Sequence, residues 1–187
     1  FCKNDPECVL TFYGGEPTLC TEKVQQIMDL VPAKHFLIQT NGLLLDKLES
    51  EYVNRLRTIL VSVDGNEELT DYYRGAGVYR RVVKNLKKIV NNGFKGEIIA
   101  RMTVTEETDI HKQVTWLLEN EEFPFSSVHW QLDAGFWKND FAQRPFEKWV
   151  KESYNPGVGK LVEYWVDHME SSGKVLRLYP FLAIMRS

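Results

Sequence analysis

Glu16 follows two glycines and precedes a proline, at the end of an apolar run made by Val9, Leu10, Phe12 and Tyr13. Gly14 and Gly15 allow positive φ and bring bare carbonyls close to a ligand. Pro17 forces Glu16 toward an extended backbone and blocks a helix from running through it. A carboxylate held at a strand mouth beside exposed carbonyls suits a cationic amine. Phosphate is a poor match, because it wants N–H donors and no carboxylate. Further along, the same kind of position recurs: Thr40 and Asn41 before Gly42, then Ser62 and Asp64 before Gly65. Arg101 and Thr103 follow, then His129, Gln131 and Asp133, each set spaced two apart and so sharing a strand face. Any one of these could be a solvated strand end. Their recurrence over five strands favours a shared pocket.

The elements that must position these groups repeat a strand–helix unit. Thr21 to Val31 reads as a helix, with Thr21 as N-cap and Val24, Ile27, Met28 and Val31 on one face. His35 to Thr40 reads as a strand, Asp46 to Leu56 as a helix, and Thr58 to Val63 as a strand. Val78 to Asn92 is a strongly amphipathic helix stopped by Gly93. Glu97 to Val104 is a strand, Asp109 to Asn120 a helix, and Ser127 to Asp133 a strand. This alternation predicts an α/β fold: a partial, TIM-type (β/α) barrel of parallel strands in chain order, lacking its first strand. Residues 9 to 13 then form an exposed leading edge, open to association with another chain. Residues 1–140 are expected to be the barrel core. Residues 141–187 are expected to be a helical extension from Phe146 to about Ser172, interrupted near Asn155-Pro156-Gly157, then a short strand from Val175 to Leu182.

Composition sets the bounds. With 43% hydrophobic residues in 187, the chain can bury a sizeable core. A net charge of −3 gives no general footprint for nucleic acid or an anionic membrane. The cluster Arg80, Arg81, Lys84, Lys87 and Lys88 lies along a predicted helix and reads as its solvated face. No apolar run approaches the roughly 20 residues a membrane span needs, and no signal peptide is visible, so a cytoplasmic location is expected. Cys2, Cys8 and Cys20 read as free thiols. His35, His111 and His168 have no ligand spacing, and His129 reads as a hydrogen-bonded core histidine.

FYGGEPTL, Phe12 to Leu19, resembles the GGEP motif of the radical S-adenosylmethionine (SAM) enzymes. The resemblance extends through Thr40 to Gly42, Val61 to Gly65 and the D-x-x-R element from Asp71 to Arg74, and covers about residues 9 to 135. It is strongest to the branch that modifies proteins and peptides, including the anaerobic sulfatase-maturating, arylsulfatase-regulator-like enzymes. It implies that Gly14, Gly15 and Glu16, with Pro17 shaping the turn, meet the SAM amino group. Ser62 and Arg74 would hold the SAM carboxylate, for which a guanidinium fork is suited. Thr40, Asn41 and Asp64 would border the pocket. Without the motif, Arg74 would read as a surface partner of Asp71.

The implied cofactors are SAM and, in the parent protein, a 4Fe–4S cluster; the implied partner is a protein or peptide substrate. In this family a reduced cluster donates an electron to SAM and yields a 5′-deoxyadenosyl radical, which takes a hydrogen atom from the substrate. The family holds its cluster through a C-x3-C-x2-C loop. The three cysteines here, with five and eleven residues between neighbours, do not match it. With Phe1 in first place, the expectation is a truncated chain, inactive without that loop and carrying no cluster of its own. The strand from Glu97 to Val104 departs from the Gly-rich segment many members place near the adenine, so no adenine contact is assigned, and no catalytic base is matched. Arg101, Gln131 and Asp133 could face SAM or substrate. Two rival readings are a cluster-free barrel enzyme, such as a lyase or aldolase using Arg101 or Asp133, and a non-catalytic binding or regulatory domain.

Overall fold

Alternation along the strands sets the architecture. The computed structural model describes residues 4–133 and 144–185. Its strands are β1 (Val9–Phe12), β2 (His35–Thr40), β3 (Leu56–Ser62), β4 (Glu97–Val104), β5 (Ser127–Leu132) and β6 (Arg177–Leu178). They form a six-stranded sheet in the order β1-β2-β3-β4-β5-β6. Every neighbouring pair is parallel. On one face Phe36, Ile38, Ile59, Val61, Ala100, Met102, Val104 and Val128 are almost wholly buried, in one hydrophobic cluster with the helices. On the opposite face Leu37, Gln39, Leu60, Arg101, Thr103 and His129 remain partly open, and Gln131 is exposed. Helices on one face and a polar, half-open second face make this a partial barrel. A doubly wound sheet would cover both faces.

The helices are α1 (Thr21–Leu30), α2 (Ser50–Arg55), α3 (Glu67–Arg74), α4 (Val78–Asn91), α5 (Ile110–Glu119), α6 (Phe146–Trp149), α7 (Asn155–Ser172) and α8 (Tyr179–Met185). On α4 the apolar side chains Val82, Val83, Leu86 and Ile89 face the core, while Arg80, Arg81, Lys84, Lys87 and Lys88 are exposed, as the periodicity predicts. Trp149, Leu161, Trp165, Leu178 and Phe181 join the same hydrophobic cluster as the strands, so the last part of the chain packs onto the sheet. No helix among the described residues is long and apolar enough to cross a membrane.

Several local expectations change. A 3-10 turn (Pro17–Cys20) precedes α1, so Thr21 lies inside the helical run, and Glu16 caps the turn by accepting from the Thr18 N–H. The predicted helix from Asp46 splits into a 3-10 turn at Leu45–Lys47 and α2, and β3 begins two residues early, at Leu56. Around Asn155-Pro156-Gly157 the helix continues. Pro156 lies near the start of α7, inside this continuous run, and the irregularity is a π-helical stretch just before it (Val150–Tyr154), where a proline's missing N–H and its ring are accommodated. The strand expected from Val175 to Leu182 is two residues long, and Pro180 sits in the first turn of α8. Cys8 is disulfide-bonded and not a free thiol, whereas Cys20 is free and exposed. Cys2 and the aromatics Phe136, Trp137 and Phe141 lie outside the described residues.

Candidate cofactor and substrate site

The turn after β1 is fixed by its own glutamate. Gly14 and Gly15 take φ of +92° and +48°, and a Cβ on either would meet nothing within 4 Å, so their backbone faces open space. Glu16 is extended, with φ −133° and ψ 106°, as a residue before proline should be. Its Oε1 accepts from the Thr18 N–H at 3.0 Å, the Thr18 hydroxyl at 2.5 Å and the Thr40 hydroxyl at 2.7 Å. Its Oε2 accepts from the Asn41 N–H at 2.6 Å. The carboxylate thus ties the end of β1 to the end of β2. Oε1 is fully subscribed, while Oε2 retains capacity for one further donor.

A second carboxylate does the same for β3, β4 and α3. Asp64 is 1% exposed. Its Oδ1 accepts from the Thr103 N–H at 2.9 Å and from Arg74 Nη2 at 2.8 Å, and its Oδ2 lies 2.6 Å from Arg74 Nε. Thr70, one turn before Arg74 on α3, donates to the Gly65 carbonyl and accepts from the Asp64 N–H. Arg74 is therefore the partner of Asp64. The alternative partner, Asp71, instead accepts from the N–H groups of Gly77 and Tyr79 and caps α4.

Gly14, Gly15, Glu16, Thr40, Asn41, Ser62 and Arg74 line one polar concavity of about 260 Å³, together with Tyr13 and Gln39. Of the residues singled out from sequence, Pro17 opens the turn and Asp64 lies beneath Arg74; neither lines the concavity. Tyr13 and Gln39 were missed. The signal for Gln39 was available, since it shares the open face of β2 with Leu37.

Beyond the concavity, Arg101 Nη2 donates to Gln131 Oε1 at 2.9 Å between β4 and β5. His129 is paired in register with Arg101, but its Nδ1 is buried without a partner, contrary to the expected hydrogen-bonded histidine. Burial first, and the Arg101 charge second, hold its pKa below the usual imidazole value. Asp133 and Glu106 both receive Arg144, a cluster with no signature in the sequence.

No family profile matches the chain. The AdoMet-bound native anSMEcpe structure superposes with a TM-score of 0.68 at 19% identity, covering 95% of this chain and 51% of that one. The same protein with bound AdoMet and a Cp18Cys peptide gives 0.68 at 20% identity, covering 95% and 52%. The chain shares its fold with both of these AdoMet-bound structures. Streptococcus suis SuiB bound to the precursor peptide SuiA gives 0.54 at 20% identity, covering 91% and 37%. An uncharacterized protein of Methanothermobacter thermautotrophicus is 32% identical over 111 residues, which are 54% of this chain and 41% of that protein. The chain thus spans about half of anSMEcpe and less of the archaeal relative.

The residues of the concavity are of the right types for the amino-acid end of AdoMet (SAM), the ligand of the anSMEcpe structures. Open glycine backbone, a spare acceptor on Glu16 and the remaining donors of Arg74 match an ammonium and a carboxylate. At about 260 Å³ the concavity is below the ~300–1,000 Å³ of typical ligand pockets, so it has room for a group the size of that end and not for the whole molecule. A cluster does not fit. Among the described residues no three His, Cys, Asp or Glu side chains gather to hold a metal, Cys8 is tied in a disulfide, and Cys20 stands alone.

Proposed function

We propose that this chain is the SAM-binding core of a radical SAM enzyme that acts on a protein or peptide. One observation carries the reading: the residues the GGEP resemblance assigns to the methionine end come from the ends of β1 and β3 and from the last turn of α3, and line a single concavity. The peptide substrate is supported by the structures with a Cp18Cys peptide and with SuiA, which share the fold. When bound, SAM supplies a sulfonium whose C–S bond can be broken by one electron. This chain's own part is to hold the methionine end. Gly14 and Gly15 offer carbonyls, and Glu16 Oε2 accepts from the ammonium. Ser62 and the free edge of Arg74 donate to the carboxylate, with Asp64 fixing the guanidinium plane from behind.

The experiment is calorimetric titration of the full-length protein with SAM. Ser62→Ala removes one donor from a largely buried position and should weaken binding roughly tenfold, in line with the cost of unpairing one charged group. Lys87→Ala on the exposed face of α4 should leave it unchanged. Equal affinities for wild type, Ser62→Ala and Glu16→Ala would defeat the assignment.

A further inference from the structure

The open face of the sheet holds an arginine whose charge no carboxylate among the described residues answers. Arg101 is partly buried on β4, and its one protein partner among the described residues is the neutral Gln131 amide. Carboxylates are close in the fold, but each is already engaged. Asp64 holds Arg74 and the Thr103 N–H. Glu97, on the same strand and face, accepts from Ser127, Arg177 and Tyr179. Glu106 and Asp133 hold Arg144. A partly exposed cation with spare donors and no counter-ion among the described residues is open to an anion arriving from outside. Beside it, the buried Nδ1 of His129 also lacks a partner. Burial first, and the Arg101 charge second, disfavour its protonated form, so it does not compete with Arg101 as a second cation.

Arg101 does not line the concavity assigned to the methionine end, although it is the register partner of Ser62, which does. The two arginines therefore divide the face. Arg74 is fixed from behind by Asp64 and turned to the cofactor, while Arg101 adjoins the same site from the next strand. We propose that Arg101, with Gln131 and His129 beside it, is the receptor for a carboxylate side chain of the peptide substrate. The enzyme would thereby select an acidic residue next to the one it modifies. This rests on the reading of the chain as a SAM-dependent enzyme acting on peptides.

The test uses the full-length protein and fluorescein-labelled hexapeptide pools with a fixed central Glu, Gln or Lys, alongside SAM titration. The wild type should bind the Glu pool about tenfold more tightly than the Gln pool, the scale of one charge-assisted pair. Free glutarate should compete with it, and glutaramide should not. Arg101→Gln should abolish the preference, and Arg101→Glu should turn it toward the Lys pool, both with SAM affinity unchanged. The glutarate competition is made on the wild type and stands even if a variant does not fold. No preference for Glu in the wild type, a preference that survives Arg101→Gln, or a loss of SAM binding in Arg101→Gln as large as in Ser62→Ala would each overturn the proposal. In the last case Arg101 serves the cofactor's carboxylate. A wild type that prefers the Glu pool yet binds no SAM would leave the anion receptor standing and remove the cofactor reading.

Discussion

At the ends of β1 to β3, two carboxylates join consecutive elements, Glu16 across the first two strands and Asp64 across β3, β4 and α3. At the ends of β4 and β5 the sign is reversed. There Arg144 gathers Glu106 and Asp133, and Arg101 is left with an amide. The first half is a rigid cradle in which anions meet protein donors and present the remaining capacity to a ligand. The second half carries a cation that no carboxylate among the described residues pairs. A site that must hold one constant cofactor and one selected substrate gains from such a division, because only the cofactor side has to be pre-ordered.

The sharpest way to break this comparison is to remove the anchor of the cradle. Asp64→Ala leaves Arg74 beside a buried void and the Thr103 N–H without an acceptor. Loss of one partner of a buried pair costs about 3–5 kcal/mol. Arg74→Ala should cost a similar amount by stranding Asp64, and the double variant should cost less than the sum, because the two share one interaction. Urea unfolding measures all three. Additive losses would show that the pair is not coupled.

Two glycines sharpen the picture next. Gly42 has φ +76°, and a Cβ there would lie 2.8 Å from Val61 Cγ2 and 3.2 Å from Val82 Cγ1, inside the helix–sheet interface. Gly42→Ala should destabilise by about 2–4 kcal/mol, the sum of a left-handed backbone and overpacking. Gly14→Ala meets no atom within 4 Å. It should cost only the backbone strain, about 1–2 kcal/mol, while obstructing SAM. Thermal melts and SAM titration separate the two. Equal melting losses would show that the cradle turn is packed and not open.

Part of the cradle was legible in sequence. Glycines, a proline and a carboxylate adjacent in the chain encode the Glu16 turn locally, and the period-two spacing of Ser62 and Asp64 sets their face. Strand β4 ran from Glu97 to Val104 as read, because its alternation is unbroken. What failed depended on distance or on a misleading local signal. Arg74 pairs with Asp64 ten positions back, across a loop and a helix, where Asp71 at one helical turn looked the nearer partner. The apolar run after Val175 looked like a strand, yet Tyr179 and Pro180 begin a helix, since proline is tolerated in a first turn. Arg144 finds Glu106 across 38 positions, which no pattern in the chain announces.

Glu97 gives a smaller effect, on the β4–β5 side of the sheet. Burial by itself would raise its pKa, but hydrogen bonds from Ser127, Tyr179 and Arg177 outweigh that and bring it below the ordinary carboxylate value. The unfolded chain then binds the proton more readily than the folded one. The stabilisation is present above about pH 4.3, the usual glutamate pKa, and fades as pH falls through the lowered folded value. Glu97→Gln should flatten that acid limb of stability against pH. An unchanged limb would mean that the three donors do not favour the charged form.

The smallest expected effect bears most directly on the lone arginine. His129 is held below the usual imidazole pKa by burial first and by Arg101 second. Between that lowered value and about pH 6.5 the unfolded chain binds more protons, so stability should rise with pH across this window, and His129→Asn should remove the rise. An NMR titration of the imidazole in wild type and in Arg101→Gln separates the two causes. Removing the guanidinium should move the pKa upward only part of the way, because burial remains. A full return to the ordinary value would show that charge and not burial governs this corner. No movement at all would place Arg101 too far from His129 for its charge to be felt there.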